Sequence, residues 1–389
     1  MDAQSSLILA SILITLIIHT SNDKNHKRYL IIDHGVVILV IFEKMTGTAT
    51  TQRYIHNNKR PYPLKPAGTK VLLRVSGDTL TNYDRFVVGW SSLFFVGGVF
   101  WLPALYVWLV NRYRRIPPDQ KKRRAIYAAM LLSITTLFAI GPHRSPKVGK
   151  WINVHKWSLW KSWMRFFAFE VVADEYESVK HLLHQQAILG ISPHGIFPFG
   201  LAFAALSGKA SQAFGSFRAV VATATQLIPW VRDVLVWVSA CDASRSSVDK
   251  ALSEGARLGL APGGIAEILQ APEPGSEYAI IRRGIFRMAV KHQVPVVPIY
   301  CFGSSMLMKR LKLPNFIEKL GLMLRISLVV FFGKLGLPIP FRQRLLYVMG
   351  KPIYPPITTR KDIILNTTDQ RVEHMYQQYC QELIRYVLF

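Results

Sequence analysis

Cysteine is scarce in this 389-residue chain: Cys241, Cys301 and Cys380 are the only three, and none forms a CxxC pair. That excludes a disulfide framework and a cysteine-based metal finger, and the odd count suits a reducing, cytosol-facing environment. Each of the three reads as a small buried apolar side chain. His181 and His184 have no partner cluster, so no metal site is expected. Acidic residues are scarce too, 23 against 48 lysines and arginines, for a net charge of +25. Such an excess points to an anionic partner, either nucleic acid or a membrane surface. The chain carries no finger, helix-turn-helix or RNA-binding signature. It also lacks the GxSxG nucleophile elbow, which argues against a lipid hydrolase of that design.

Apolar side chains are abundant. Half the residues are hydrophobic and the mean hydropathy is +0.21. Basic clusters border long apolar stretches, and this favours a membrane surface over nucleic acid. Phe86 to Val110 runs for 25 residues without a charge, longer than the ~20 needed to cross a bilayer core. Ala125 to Pro142 is a second uncharged run, of 18 residues. Between them lies a basic loop with Arg112, Arg114, Arg115 and Lys121 to Arg124. Residues 86–142 are therefore expected to form a membrane hairpin, or one span plus a re-entrant segment, with Pro103 as a candidate kink. The flank after Pro142 is basic as well. A hairpin lying in one leaflet, with loop and flanks on the cytosolic face, satisfies both sets of charges. Residues 1–44 read as an apolar N-terminal extension of open role, without the basic start of a signal peptide. Residues 45–85, rich in Thr, Asn, Pro and Lys, read as a polar linker.

Beyond about residue 150 the pattern changes. Ala187–Ile191, Ala219–Ala224, Leu258–Ala261, Val296–Phe302 and Leu345–Met349 read as strands. Ser247–Gly255, Gly284–His292 and Asp369–Leu388 read as helices. This alternation predicts an α/β domain, a mostly parallel sheet with flanking helices. Met306 to Pro340 mixes apolar runs with lysines and arginines, which fits a membrane interface or a core helix equally well.

Ser192-Pro193-His194-Gly195 stands just after a predicted strand. Sites in parallel sheets lie beyond the C-terminal ends of strands, so His194 is placed for proton transfer near neutral pH. Three further landmarks follow in order: Cys241 to Arg245, Pro262-Gly263-Gly264-Ile265-Ala266-Glu267, and Arg282-Arg283-Gly284-Ile285 leading to Val296–Gly303. Gly350-Lys351-Pro352-Ile353 closes the series.

This order and spacing resemble the type 2 diacylglycerol acyltransferases, within the lysophospholipid and glycerolipid acyltransferase superfamily. The resemblance covers residues 150–389, as an acyltransferase domain, plus the hydrophobic segment before it. There are departures. Ser192 stands where the family's motif begins with histidine or glutamate. The superfamily's acid five residues after the histidine is Phe199 here, and an acid after Phe-Gly is Ser304.

The resemblance implies acyl transfer from acyl-CoA, as co-substrate and without further cofactor, to diacylglycerol. Monoacylglycerol, lysophospholipid and long-chain alcohol acceptors remain open, and so does a non-catalytic lipid-binding role. His194 is the implied general base, with Glu267, then Asp242, as candidates to orient it. Ser192, Pro193, Gly195, Gly263 and Gly264 are expected to line the substrate, the N–H groups near Gly195 or in the Gly263-Gly264 turn offering an oxyanion site. Arg245, Arg282 and Arg283 are candidates for the CoA phosphates, a surface role being equally open for each. The expected setting is the endoplasmic reticulum membrane, with the catalytic domain facing the cytosol, or a lipid droplet. Homo-oligomerisation is left open.

Overall fold

The computed structural model describes residues 26–33, 36–43, 69–139, 151–223, 225, 229–270, 277–311, 313, 314, 316, 323, 329–356 and 367–387. The apolar run Ser5–Thr20 and most of the 45–85 stretch lie outside them.

The described residues form thirteen strands, those at the sheet centre being short apolar runs ended by proline or glycine, as Ile188–Ser192 is by Pro193 and Val296–Phe302 by Gly303. In chain order they are β1 His26–Asp33, β2 Val36–Glu43, β3 Lys70–Arg74, β4 Glu170–Ala173, β5 Ile188–Ser192, β6 Arg218–Val221 and β7 Cys241–Asp242. They continue with β8 Leu258–Leu260, β9 Glu277–Ile281, β10 Val296–Phe302, β11 Lys309–Leu311, β12 Val330–Phe332 and β13 Leu346–Met349. Eight of them form one sheet in the order β3-β4-β13-β10-β5-β8-β6-β7. Five of its seven pairings are parallel; β10 with β13 and β3 with β4 are antiparallel. This is the expected mostly parallel α/β architecture. β5 and β10, side by side at its centre, are buried on both faces, as strands covered by helices on both sides must be.

The alternation of strand side chains splits the core in two. Leu189 and Ile191 of β5 pack with Trp163, Phe167, Phe199, Phe203 and Tyr347 on one face. Ile188 packs on the other with Phe286, Met375, Tyr376 and Tyr379. The last helix, Thr368–Val387, supplies Val372, Met375, Tyr376, Tyr379 and Leu383 to that second core. Each such fully buried side chain contributes about 1.5–3 kcal/mol. The landmark at Gly350 belongs to the docking of this helix. A Cβ there would overlap the Tyr386 hydroxyl, and Lys351 N–H donates to Glu382 at 3.0 Å.

Three strands fall in stretches expected to be linker or extension. β3 pairs with β4, where Arg74 and Arg344 both hold the buried carboxylate of Glu170. β1 and β2 form an antiparallel hairpin whose second strand pairs with β9.

The expected membrane hairpin takes a different form. The uncharged run 86–110 is not one helix but two, Asn82–Phe95 and Gly98–Arg114, bent by 55°. No single helix among the described residues is long and apolar enough to cross a membrane, although this bent pair passes that test together. Pro103 sits inside the second helix, so the break lies at Gly97-Gly98 instead. Glycine allows it: a Cβ at Gly97 would press on Pro338 Cγ at 2.9 Å, and one at Gly98 would enter the Trp230 ring. A third helix, Lys121–Ala139, packs back on Gly98–Arg114, with Tyr106 and Thr135 hydroxyls 3.4 Å apart. The first helix is tied to the sheet domain. A Thr81–Asp84 capping box starts it, and Asp84 also accepts the Ser162 hydroxyl at 2.7 Å.

Candidate active site

β5 delivers Ser192, Pro193, His194 and Gly195 to the C-terminal edge of the sheet centre. β10 runs parallel beside it, with Tyr300 in register with Ser192, and continues two residues further to Phe302. The segment after β10 clamps the loop after β5. Buried Ser304 donates its hydroxyl to the Pro193 carbonyl at 3.0 Å. Gly195 has φ 68°, and a Cβ there would lie 2.7 Å from the Ser304 carbonyl oxygen. Only glycine meets both demands at this point.

β8 flanks β5 on its other side and leads into the Pro262-Gly263-Gly264 turn and the short helix Ile265–Gln270. Glu267 on that helix is 3% exposed. One of its carboxyl oxygens accepts the backbone N–H of His194, and the other accepts that of Ile280 in β9 at 3.2 Å. Gly263 leaves room for this: its Cβ would collide with Glu267 Oε2 and sit 2.8 Å from the Ile280 carbonyl oxygen. Gly264 takes φ 53°, closing the turn. Burial pushes the Glu267 carboxyl up to about 8, against the pull of the two N–H donors.

The His194 ring is oriented by its own neighbour. Nδ1 lies 2.7 Å from the Gly195 carbonyl oxygen. A carbonyl only accepts, so Nδ1 carries the proton and Nε2 keeps its lone pair. Burial holds the imidazole below its ordinary value, the Gly195 carbonyl opposing. The ring is therefore neutral at pH 7, in the tautomer a general base requires.

The structure thus gathers Ser192, Pro193, His194, Gly195, Gly263, Gly264 and Glu267. Ser192 is fully buried as the last residue of β5. Arg282 and Arg283 follow β9 directly, and Arg282 is exposed. Arg283 forks onto Glu373 at 2.7 and 3.2 Å and stacks on Tyr376, 4.1 Å from the ring centre. Arg245 is exposed at the start of the helix Arg245–Ser253, after β7. Three strand spacings separate β7 from β5, about 14 Å. Asp242 belongs to that distant edge, where it accepts from Thr223 at 2.7 Å and Ser244 N–H at 2.8 Å.

Ser304 and Tyr379 enter the site's framework from outside the expected residues. Tyr379 donates its hydroxyl to the Gly190 carbonyl at 3.0 Å, directly beneath the loop. The signal for it is Gly190, a glycine inside a buried strand, where close approach by another group is a common reason.

The family model described as diacylglycerol acyltransferase matches residues 124–389, which include the whole cluster. 2-Acylglycerol O-acyltransferase 1 of Mus musculus is 28% identical over 268 residues, covering 62% of this chain and 75% of that protein. Acyl-CoA wax alcohol acyltransferase 1 of Homo sapiens is 28% identical over 173 residues, 42% of this chain and 50% of that protein. Diacylglycerol O-acyltransferase 2 of Homo sapiens is 25% identical over 267 residues, 63% and 65% of the two chains. Among solved structures, the 1-acyl-sn-glycerophosphate acyltransferase PlsC of Thermotoga maritima aligns with TM-score 0.33 and 13% identity, over 78% of this chain and 96% of that one.

Proposed function

Because the chain belongs to the diacylglycerol acyltransferase family, we propose that it moves a fatty acyl group from acyl-CoA to the free hydroxyl of diacylglycerol, giving triacylglycerol. The observation that carries this reading is the Nδ1–H tautomer of His194, set by the Gly195 carbonyl. Nε2 takes the acceptor's hydroxyl proton as its oxygen attacks the thioester carbon. The C–O bond forms, the tetrahedral intermediate collapses, and the C–S bond to CoA breaks. The thiolate leaves readily and takes the proton back from the imidazolium. General base catalysis of this kind contributes typically ~10²–10⁴-fold.

Backbone N–H groups of the Gly195 loop and of the Gly263-Gly264 turn are our candidates for the oxyanion. Arg282 is the candidate for the CoA phosphates that is free of a carboxylate fork like that of Arg283. Both substrates carry long apolar chains. We therefore place the enzyme on a membrane, that of the endoplasmic reticulum or a lipid droplet, with the helices of 82–139 at its surface.

Relatives named for 2-acylglycerol and for wax alcohol support a second reading of the acceptor. One experiment addresses both. The chain is expressed in cells unable to make triacylglycerol, and their lipids are analysed. We expect triacylglycerol to accumulate, and His194→Ala to abolish it. Wax ester or diacylglycerol accumulating instead would move the acceptor assignment. Activity surviving in His194→Ala would refute the base.

A further inference from the structure

β11 and β12 pair antiparallel, and the chain after β12 makes a tight turn at Gly333–Leu337. Four backbone hydrogen bonds hold it: Gly333 N–H to Leu337 (2.7 Å), Lys334 to Ile339 (2.7 Å), Leu337 to Lys334 (3.1 Å) and Gly336 to Gly333 (3.3 Å). Gly333 is required, since a Cβ there would overlap the Ile339 carbonyl. At the apex stands Leu335, in the left-handed region at φ 58°, ψ 24°, and 84% exposed. That conformation disfavours a side chain with a Cβ by about 1–2 kcal/mol. A leucine held there in water gains nothing from either its backbone or its side chain. Leu337, Val330 and Leu311 beside it are exposed too. So are Lys309 and Lys334.

This apolar tip is built onto the helices. Ser92 donates to the Pro338 carbonyl at 2.5 Å, and the Phe331 and Phe100 rings are 5.0 Å apart. Ile339 packs against Gly89 and Pro338 against Gly97. The helix carrying Gly89 also displays Tyr83, Phe86, Trp90 and Phe94, 70%, 69%, 65% and 39% exposed, at helical spacing. Apolar tip and aromatic stripe are thus carried by one helix on different faces, since at about 100° per residue Gly89 and Ser92, which meet the turn, lie away from the stripe.

We infer that the Gly333–Leu337 turn is a second membrane contact, seating Leu335 and Leu337 among the lipid chains of an anionic bilayer with Lys309 and Lys334 at the headgroups. The inference rests on the membrane reading proposed above. The charges decide the occupant. Lysine is depleted at protein–protein interfaces but belongs at a lipid headgroup boundary. Each lysine near an anionic surface adds attraction, on a chain of net charge +25. The turn and the helices then touch the bilayer at two separated points. Those points fix the height and tilt of the sheet edge that carries His194, which a single hairpin leaves free to swing.

The three native cysteines are buried, so an introduced cysteine is labelled selectively. Full-length protein with Leu335→Cys, Trp90→Cys or Lys250→Cys, each carrying an environment-sensitive fluorophore, is reconstituted into phosphatidylcholine–phosphatidylserine vesicles. Lipid-borne doxyl groups and aqueous iodide serve as quenchers. The expected result is doxyl quenching at 335 and 90 and iodide quenching at 250, with Lys334→Glu weakening the doxyl quenching at 335. Iodide quenching at 335 with doxyl quenching at 90 overturns this inference alone. Iodide quenching at both removes the membrane reading as well. Shielding of 335 from both quenchers means a protein partner and also overturns it.

A second measurement guards against the fluorophore driving insertion. Leu335→Asp with Leu337→Asp should lower turnover of vesicle-borne diacylglycerol several-fold and leave a water-soluble short-chain acceptor untouched. Equal effects on the two acceptors, or no effect on either, overturn the inference.

Discussion

Glu267 grips the main chain of His194 and leaves its imidazole alone. The carboxyl spans from the loop after β5 to Ile280 in β9, so it acts as a brace between two elements. The ring is fixed separately, by the Gly195 carbonyl one residue away. Position and tautomer of the candidate base thus have different causes, and substitutions can separate them.

Glu267→Ala removes the acceptor of two buried N–H groups, each costing about 1–3 kcal/mol when left unpaired. A clear drop in melting temperature is expected, smaller in Glu267→Gln, which keeps one acceptor oxygen. The pH dependence has a definite sign. The folded carboxyl titrates at about 8, the unfolded one near 4.5. The folded state therefore holds the proton more tightly, and the stabilisation is full below about pH 4.5 and lost as pH rises through about 8. Thermal unfolding in detergent from pH 5 to 8.5 should show a falling midpoint. An equal fall in Glu267→Gln would assign the effect to another group.

The imidazole titration has the opposite sign. Burial depresses the His194 value below 6.5, so the neutral base persists into mildly acid solution. Acyl transfer should be flat through pH 7 and lose rate only as pH falls through that depressed value. His194→Ala should cost ~10²–10⁴-fold in kcat. His184→Ala, at an exposed position in the turn before β5, should cost nothing measurable. An acid limb unchanged in position by His194→Ala would point to a different titrating group.

Gly190 and Tyr379 should behave as a coupled pair. A Cβ on Gly190 overlaps the Tyr379 hydroxyl and comes within 3.0 Å of its ring. Gly190→Ala is expected to destabilise by at least ~1–3 kcal/mol, the range for overpacking. Tyr379→Phe frees part of that space and loses the bond to the Gly190 carbonyl. The double variant should therefore be more stable than the sum of the single losses predicts. Strict additivity in a thermal double-mutant cycle would deny the contact.

Arg257 joins three segments from inside the protein. Its guanidinium donates to the carbonyls of Leu182, Gln185 (2.8 Å) and Phe214 (3.0 Å), and the residue is 8% exposed. Burial lowers it to about 10, which still leaves it charged at neutral pH. Arg257→Lys keeps the charge but not the planar fork, so it should lose most of what Arg257→Met loses. A lysine variant as stable as the parent would show that charge, not geometry, matters.

Much of the sheet was legible because its strands are short apolar runs with clear ends. Val296–Phe302 and Gly284–His292 are a strand and a helix over those same residues. β3 was hidden in a polar stretch, since an edge strand carries exposed charges and owes its place to pairing with β4. The run Phe86–Val110 misleads for another reason. Hydropathy counts charges and ignores that Gly97-Gly98 lets the chain bend against Pro338 and Trp230. In the site, His194 stood out by its residue type and by the strand before it. Ser304 and Tyr379 did not, because their roles depend on β10 and the last helix meeting β5.

Order along the chain is enough to establish the parallel-sheet class, the family resemblance and His194 as the residue of interest, since each rests on local pattern and spacing. Folding alone decides which group serves that histidine. Glu267 is 73 positions away and arrives on its backbone N–H. The ring meets the Gly195 carbonyl, in a loop where that glycine sits at φ 68° close against Ser304. Partners so distant in sequence are set by strand order and backbone dihedrals, which no motif spells out.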